Sequence, residues 1–139
     1  MAEGILRHKA ERQGLKLTVD SAGTEYFHVG ESPDRRAIKT AKEHGIDISK
    51  LVARQINEED FDKFDLILVA DSEVYNGVIA IARNKNDQRK VDFIMNLVHP
   101  DSNMAVPDPY YGGMDGFEKV FDMLDEACDV ILKRVTNNE

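Results

Sequence analysis

The stretch F-D-L-I-L-V-A-D, from Phe64 to Asp71, is a nearly continuous apolar run of strand length. Such a run favours a strand buried on both faces, which is typical of parallel sheets covered by helices on either side. Asp71 ends the run and precedes a helical pattern of apolar residues at Val74, Val78 and Ile81. It is explained either as a residue of a ligand-binding edge or as the N-cap of that helix. The stretch therefore predicts the middle of an α/β sheet.

Helical and strand patterns alternate on both sides of this run. We predict helices over residues 2–13, 32–45, 74–82 and 115–132, a short helical turn at 57–60, and further strands at 15–23 and 91–97. This order predicts one domain over residues 1–139, built as an open, mostly parallel sheet with helices on both faces, a three-layer Rossmann-like architecture. Such folds usually lead with a strand and bind ligands on the loop that follows it, but the pattern here opens in a helix.

Composition limits the partners and the compartment. The chain of 139 residues contains 18 basic and 26 acidic residues, a net charge of −8, which argues against nucleic acid or an anionic membrane as a partner. No stretch is apolar for long enough to span a bilayer, and the first residues, M-A-E-G-I-L-R-H, lack the features of a secretory signal. The single cysteine, Cys128, excludes an internal disulfide and a multi-cysteine metal site. We expect a cytoplasmic protein without a metal or other cofactor.

The stretch V-P-D-P-Y-Y-G-G, from Val106 to Gly113, holds one carboxylate, Asp108, between two prolines. A proline on each side restricts the neighbouring backbone, so the Asp108 side chain is presented from a stiff, non-helical loop. Similar stretches are also common as surface turns, in which an aspartate bonds its own backbone. Taken alone, the stretch leaves open whether Asp108 is a turn residue or a group held in place for chemistry.

Seven segments follow one another in register along the chain: M-A-E-G-I-L-R, V-D-S-A-G-T, H-V-G-E-S-P-D-R-R-A, E-H-G-I-D-I-S, A-R-Q-I-N-E-E-D-F, F-D-L-I-L-V-A-D and D-P-Y-Y-G-G. Together they resemble the low-molecular-weight protein tyrosine phosphatases, from Met1 to the final helix. The resemblance implies the α/β fold predicted above. It also implies hydrolysis of phosphotyrosine monoesters through a phosphocysteine intermediate.

The phosphate-binding loop is where this sequence departs from that family. Family members begin with a buried strand and a loop of the form V-C-x-G-N-x-C-R-S-P, in which a cysteine takes the phosphoryl group, the arginine clamps its oxygens and backbone N–H groups cradle the anion. The sequence given starts just after this loop. Cys128 lies on the apolar stripe of the last predicted helix, where a buried structural thiol is favoured over a nucleophile. We therefore expect the chain to be inactive by itself.

Four residues are assigned to substrate chemistry by the resemblance. It implies that Asp108 is the general acid, which protonates the tyrosyl oxygen as it leaves and then deprotonates the attacking water. It implies that Tyr110 and Tyr111 form an aromatic wall for the substrate ring. The resemblance also implies that Phe27 forms the opposing wall, and the alternative interpretation is that Phe27 anchors its loop on the core.

Two more residues are assigned to support of the phosphate loop. By the resemblance, Ser21 and His44 match residues that hydrogen-bond beneath that loop. A histidine that closes a helix before a glycine is equally explained as a C-terminal cap, so both interpretations of His44 stay open.

Three functions remain open from the sequence. The first is a tyrosine phosphatase whose chain, as given, lacks the strand and loop, and which would hydrolyse a phosphotyrosine protein or a small phosphomonoester once the loop is restored. The second is a non-catalytic relative that binds a phosphorylated or protein partner. The third, an arsenate reductase of the same fold, is disfavoured because it needs a cysteine relay and Cys128 is the only thiol. The reading frame immediately upstream would separate the first two.

The strand missing from this pattern is, by the resemblance, the first, central strand of the sheet, between residues 18–21 and 66–69. Neighbouring strands lie about 4.8 Å apart, so an unfilled position would leave two rows of backbone groups unpaired. We expect instead that the two segments close up and pair directly, or that a segment of a second copy fills the position and produces a homodimer.

Overall fold

The computed structural model of the chain describes residues 1–24, 29–107 and 113–137. Within these ranges the elements are α1 (Ala2–Arg12), α2 (Arg35–Glu43), α3 (Asp60–Lys63), β1 (Ile67–Val69), α4 (Ser72–Ala80), α5 (Lys85–Arg89), β2 (Val91–Phe93), a 3₁₀ helix (Ile94–Leu97) and α6 (Gly113–Thr136). None of the described helices combines the length and the apolar composition that crossing a bilayer requires.

Side-chain caps fix where α2 and α4 begin. The Asp34 carboxylate accepts a hydrogen bond from the Arg36 N–H at 2.8 Å, so α2 starts slightly later than the predicted start at Ser32. The Asp71 carboxylate accepts from the Val74 N–H at 2.9 Å. Each bond satisfies one of the N–H groups that the first helical turn leaves unpaired, and the N-cap interpretation of Asp71 is thereby confirmed.

Glycines fix where α1 and α2 end. Gly14 and Gly45 adopt positive φ angles of 69° and 80° just beyond these helices, a conformation that glycine reaches without steric cost. The predicted ends of both helices are therefore confirmed. The apolar stripe predicted for the last helix is also buried, at Phe117, Val120, Phe121, Leu124, Cys128, Ile131 and Leu132.

The two strands run parallel, with Ile67 opposite Val91 and Val69 opposite Phe93. This pairing confirms the predicted α/β class with a parallel sheet. Both strands are shorter than the apolar runs that predicted them: β1 occupies the middle of residues 64–71, and after Phe93 the second run continues as the 3₁₀ helix.

Side chains of β1 alternate between two separate apolar cores. Leu68 packs against a cluster built from α1, α2, the 3₁₀ helix and α6, whereas Ile67 and Val69 belong to a cluster with α4 and β2. Because successive side chains of a strand point to opposite faces of its sheet, the two clusters lie on opposite faces. The predicted three-layer arrangement follows from this division.

The predicted strand over residues 15–23 does not form. Its exposure still alternates from residue 15 to residue 20, but within the described part of the chain its only bridge is the isolated parallel one between Gly23 and Gln55. The Arg7 guanidinium holds Val19 O at one end, and Gly23 exchanges hydrogen bonds with Arg54 O and the Ile56 N–H at the other.

The prediction that this segment closes up against β1 is therefore wrong. Among the described residues β1 pairs only with β2, and a cavity of about 240 Å³ is lined by residues 18–24 on one side and 66–69 on the other. The hydrogen bonds of Arg7 and Gly23 hold this segment on the side of the cavity opposite β1. The alternative, a segment of a second copy in this position, stays a prediction.

Candidate active site

The carboxyl end of β1 is tied to the segment that leads into V-P-D-P-Y-Y-G-G. The N–H of Val106 donates to Ala70 O at 2.8 Å, one residue beyond the strand. In open α/β sheets this is the edge where ligands bind. Four predicted site residues, Asp108, Tyr110, Tyr111 and Phe27, lie outside the described residues, and their assignments stay predictions.

Ser21 lies on the cavity wall beside a buried acid. Its hydroxyl donates to Glu3 Oε1 at 2.5 Å, and both residues line the cavity. Glu3 is only 7% exposed, and its second oxygen lies 2.9 Å from an Arg7 nitrogen. A buried carboxylate needs both a counter-charge and hydrogen bonds. Arg7 and Ser21 supply them, so the Ser21 hydroxyl proton is already engaged with Glu3.

Arg54 joins two acids at the margin of the same cavity. Its guanidinium makes two parallel hydrogen bonds to Asp60, at 2.9 and 3.0 Å, and a third to Asp20 at 3.0 Å. Asp60 also accepts from the Asn57 N–H at 2.9 Å. Burial by itself would raise the pKa of Asp60, but the hydrogen bonds from Arg54 and Asn57 outweigh it and hold the pKa below its ordinary value. Within the segment A-R-Q-I-N-E-E-D-F, these contacts hold the chain between Arg54 and α3 in a fixed position.

His44 lies away from the cavity, at the C-cap of α2. Its Nε2 is 3.1 Å from a Glu118 oxygen, and its ring stacks on Phe121 with 3.9 Å between ring centroids. His44, Glu118 and Asp122 bring one ligand atom each within 4.8 Å of one another. The group is exposed and its histidine is already paired, so we assign no metal to it. The absence of a metal stays a prediction.

Cys128 is a buried structural thiol, as the sequence predicts. It is 1% exposed and faces the cavity from α6. Burial raises the pKa of its thiol to about 12, and the thiolate is the form of cysteine that attacks phosphorus. Cys128 is therefore unsuited to nucleophilic catalysis.

Sequence patterns missed Glu3, Arg54 and Asp60, which organise the cavity margin. One local signal was available: Asp60 follows Asn57 by three residues and bonds back to its N–H, as the acidic residue of a capping box does. The contact from Arg54 to Asp20 joins residues 34 positions apart. No spacing rule for helices or turns predicts a contact at that separation.

Comparisons with known proteins show which family this chain belongs to. A model of the family "Low molecular weight phosphotyrosine protein phosphatase" matches residues 1–139. A relative from Synechocystis whose name places it in this family is 41% identical over 133 residues, which cover 94% of this chain and 84% of the relative. The low molecular weight protein-tyrosine-phosphatase YfkJ of Bacillus subtilis is 35% identical over 141 residues, covering 97% and 86%.

A solved structure gives the same result. The crystal structure of a protein tyrosine phosphatase from Entamoeba histolytica superposes with a TM-score of 0.89 at 29% identity, covering 99% of this chain and 88% of that one. The family match over the whole chain and the shared fold lead to one conclusion: the chain belongs to the low molecular weight phosphotyrosine protein phosphatase family.

Proposed function

We propose that this chain supplies the general-acid and ring-binding half of a phosphotyrosine phosphatase site. Asp108 protonates the tyrosyl oxygen as it leaves and then deprotonates the water that hydrolyses the phosphocysteine. The substrate is a phosphotyrosine protein or a small phosphomonoester. Hydrolysis needs a cysteine–arginine phosphate loop, and these 139 residues do not contain one. The chain acts as one domain, in the cytoplasm, without nucleic acid and without a metal or other cofactor.

The hydrogen bond from Val106 to Ala70, 2.8 Å long, carries this proposal. It fastens the chain two residues before Asp108 to the carboxyl end of β1, the edge at which open α/β sheets bind their ligands. A general acid must reach the leaving oxygen of a substrate held at that edge. Asp108 is the acid whose position in the chain, just after this anchor, best meets the requirement.

The aromatic and loop-supporting roles complete the proposal. Tyr110, Tyr111 and Phe27 contact the ring of the substrate, and Ser21, whose hydroxyl bonds the buried Glu3, supports the phosphate loop from beneath. The contacts of His44 with Glu118 and Phe121 favour its alternative role as the C-cap of α2.

The first test uses the chain as it is. We expect no turnover of p-nitrophenyl phosphate above background, because the nucleophile and the arginine clamp act as a unit and losing one member costs about 10³-fold or more. Cys128 does not substitute for the nucleophile, so Cys128→Ala should leave the background unchanged. Turnover by rigorously purified protein that disappears in Asp108→Asn would contradict the proposal.

The second test uses a chimera in which the strand and loop of a family member are joined ahead of Met1. Over a series of aryl phosphates, Asp108→Asn should lower kcat/KM by about 10²-fold or more for poor leaving groups, and much less for p-nitrophenol, which needs little protonation to depart. The ratio kcat/KM is the appropriate measure because it reports the steps up to phenol departure.

Asp65→Asn provides the matched control for this series. Asp65 is an exposed acid just before β1, and its replacement should leave kcat/KM unchanged for every leaving group. Equal losses across the series in Asp108→Asn would remove the general-acid role. A chimera that binds phosphotyrosine without hydrolysing it would instead favour the non-catalytic alternative.

A further inference from the structure

Two asparagines bond each other across the loop that precedes the general-acid segment. Asn96, in the 3₁₀ helix, donates from Nδ2 to Asn103 Oδ1 at 2.8 Å, and Asn96 Oδ1 accepts from the Asn103 N–H at 2.7 Å. Nδ2 of Asn96 also donates to the carboxylate of Asp92, in β2, at 2.7 Å. A side-chain amide has two N–H donors, and both are used here. Asn96 therefore links the loop to the parallel sheet.

The 99–105 loop, which lies between Val98 and Val106, is fixed by these bonds rather than by burial. Its two flanking valines pack against the larger apolar cluster, but residues 99–105 are all exposed. Asp101 and Asn103 have φ angles of 60° and 50°, and they are the only non-glycine residues with positive φ in the described part of the chain. Such a conformation persists where the surroundings enforce it. At Asn103 the two-point contact with Asn96 enforces it.

The loop ends at the backbone anchor that precedes Asp108. The Val106 N–H donates to Ala70 O at 2.8 Å, three residues after Asn103 and two before Asp108. Only two exposed residues separate Asn103 from this anchor, so a loop released at Asn103 would strain or loosen the bond of Val106. A catalytic group misplaced by about 1 Å can lose about 10²-fold in rate.

We propose that Asn96 is a positioning residue for Asp108. It fixes the 99–105 loop to β2 through Asn103, and the loop in turn fixes the path by which the chain reaches Val106 and the general acid. The alternative is that the asparagine pair only closes the loop and has no effect on the acid. The inference rests on the proposed function, because it assigns Asn96 a role toward Asp108, but its first measurement needs no catalysis.

The first measurement is amide hydrogen exchange by NMR in the 139-residue chain. Asn96→Ala should accelerate exchange of the Val106 amide by about tenfold or more, because the loop loses its hydrogen bonds to the sheet. The Ile67 amide, which is bonded at the other end of β1, should change little. Asn84→Ala is the matched control, since the Asn84 side chain accepts from the Asp87 N–H at 2.8 Å within its own helix cap. It should leave Val106 unchanged.

The second measurement uses the chimera that carries a family member's strand and loop ahead of Met1. Asn96→Ala should lower kcat/KM about tenfold for phenyl phosphate and less than about twofold for p-nitrophenyl phosphate, because only the poorer leaving group needs the acid. Asn84→Ala should leave both values unchanged. In an Asp108→Asn background, Asn96→Ala should cause no further loss, whereas a general structural defect would lower activity in both backgrounds.

Asn103→Gly is a second, milder variant. Glycine adopts the positive φ of this position without steric cost and keeps the N–H that bonds Asn96, so only the Oδ1 acceptor is lost. Asn103 is exposed, and the variant should stay folded. We expect the same dependence on the leaving group as in Asn96→Ala, with a smaller loss.

Four results would overturn the positioning role. Unchanged exchange at Val106 in Asn96→Ala would show that the pair does not hold the anchor. Equal losses for both substrates in Asn96→Ala, or a further loss in the Asp108→Asn background, would remove the role of Asn96 and leave the general acid in place. Equal losses in Asp108→Asn itself would overturn the proposed function, and the role of Asn96 with it.

Discussion

Arg54→Met removes the guanidinium that holds Asp60 and Asp20 while keeping most of the apolar stem. In the native structure the Asp60 side chain is 6% exposed and Arg54 is 31% exposed. The variant leaves Asp60 with the hydrogen bond from the Asn57 N–H but without its counter-charge. The substitution therefore isolates the contribution of a partly buried ion pair at the cavity margin.

The expected loss follows from the burial of the acid that remains. Removing one partner of a buried pair destabilises a protein by roughly 3–5 kcal/mol, because the other charge stays unpaired in a poorly solvated place. Water reaches the exposed part of Arg54 and screens the pair, so we expect the lower end, about 3 kcal/mol. With a urea m-value of about 2 kcal/mol/M, the unfolding midpoint should fall by about 1.5 M.

The loss should depend on pH in a defined direction. Burial raises the pKa of Asp60, but the hydrogen bonds from Arg54 and Asn57 more than offset this and hold the pKa below its ordinary value. A carboxylate whose pKa is lower in the folded than in the unfolded state stabilises the fold at pH values above its unfolded-state pKa. This stability is lost as the pH falls through the folded-state pKa. In the variant the arginine is gone and burial dominates. The difference between wild type and variant should therefore be largest near neutral pH and shrink as the pH falls from the raised pKa of Asp60 in the variant to its depressed pKa in the wild type.

Urea unfolding followed by circular dichroism at neutral and acid pH measures both effects. Lys63→Met is the matched control, since the Lys63–Glu59 pair is 3.8 Å apart with side chains 64% and 77% exposed, and exposed pairs contribute little. A loss below about 1 kcal/mol for Arg54→Met, or a difference that is the same at both pH values, would refute the ion-pair account.

Two further predictions test burial and packing. Iodoacetamide should modify Cys128 slowly near neutral pH, because burial raises the pKa of its thiol to about 12. Urea should accelerate the reaction by unfolding the chain. Rapid labelling of the folded chain would contradict the buried position of Cys128. Gly4→Ala should destabilise the chain by about 1–3 kcal/mol, because the added Cβ would lie 2.4 Å from Ile48 Cγ2. Gly23→Ala is the control, because the nearest atom to its added Cβ, Arg54 O, would be 4.0 Å away, and its thermal unfolding should change little. Equal losses in both variants would argue against the close contact between Gly4 and Ile48.

Helices were predictable because their signals are local. The stripe on α6, the cap at Asp71 and the positive φ of Gly14 each depend on residues within one or two turns of the same helix. Each of them was confirmed. The start of α2 moved from Ser32 to Asp34 because both residue types can cap a helix, and the sequence contains no further signal to choose between them.

Strands were less predictable because a strand needs a partner. Residues 15–20 keep the alternation that predicts a strand, but the hydrogen bonds that hold them come from α1, at Leu15 and Val19, and from the Arg54 side chain, at Asp20. The same dependence limits prediction of the site. Ser21 could be assigned by resemblance, whereas its acceptor, Glu3, lies 18 positions away on a helix whose pattern suggests only a solvent-facing acid.

Residue spacing alone does not identify a phosphatase nucleophile. Cys128 and Arg134 have the C-x5-R spacing of the family's phosphate loop, yet both lie within the helix α6 (Gly113–Thr136). In a helix, six residues advance about 9 Å along the axis, and the backbone N–H groups between them bond carbonyls of the same helix. The N–H groups therefore cannot converge on an anion. Arg134 is exposed while Cys128 is buried, so the arginine does not lower the pKa of the thiol. Phosphoryl transfer to a cysteine requires the curled loop as well as the spacing, so Cys128 and Arg134 do not form a phosphate site despite their C-x5-R spacing.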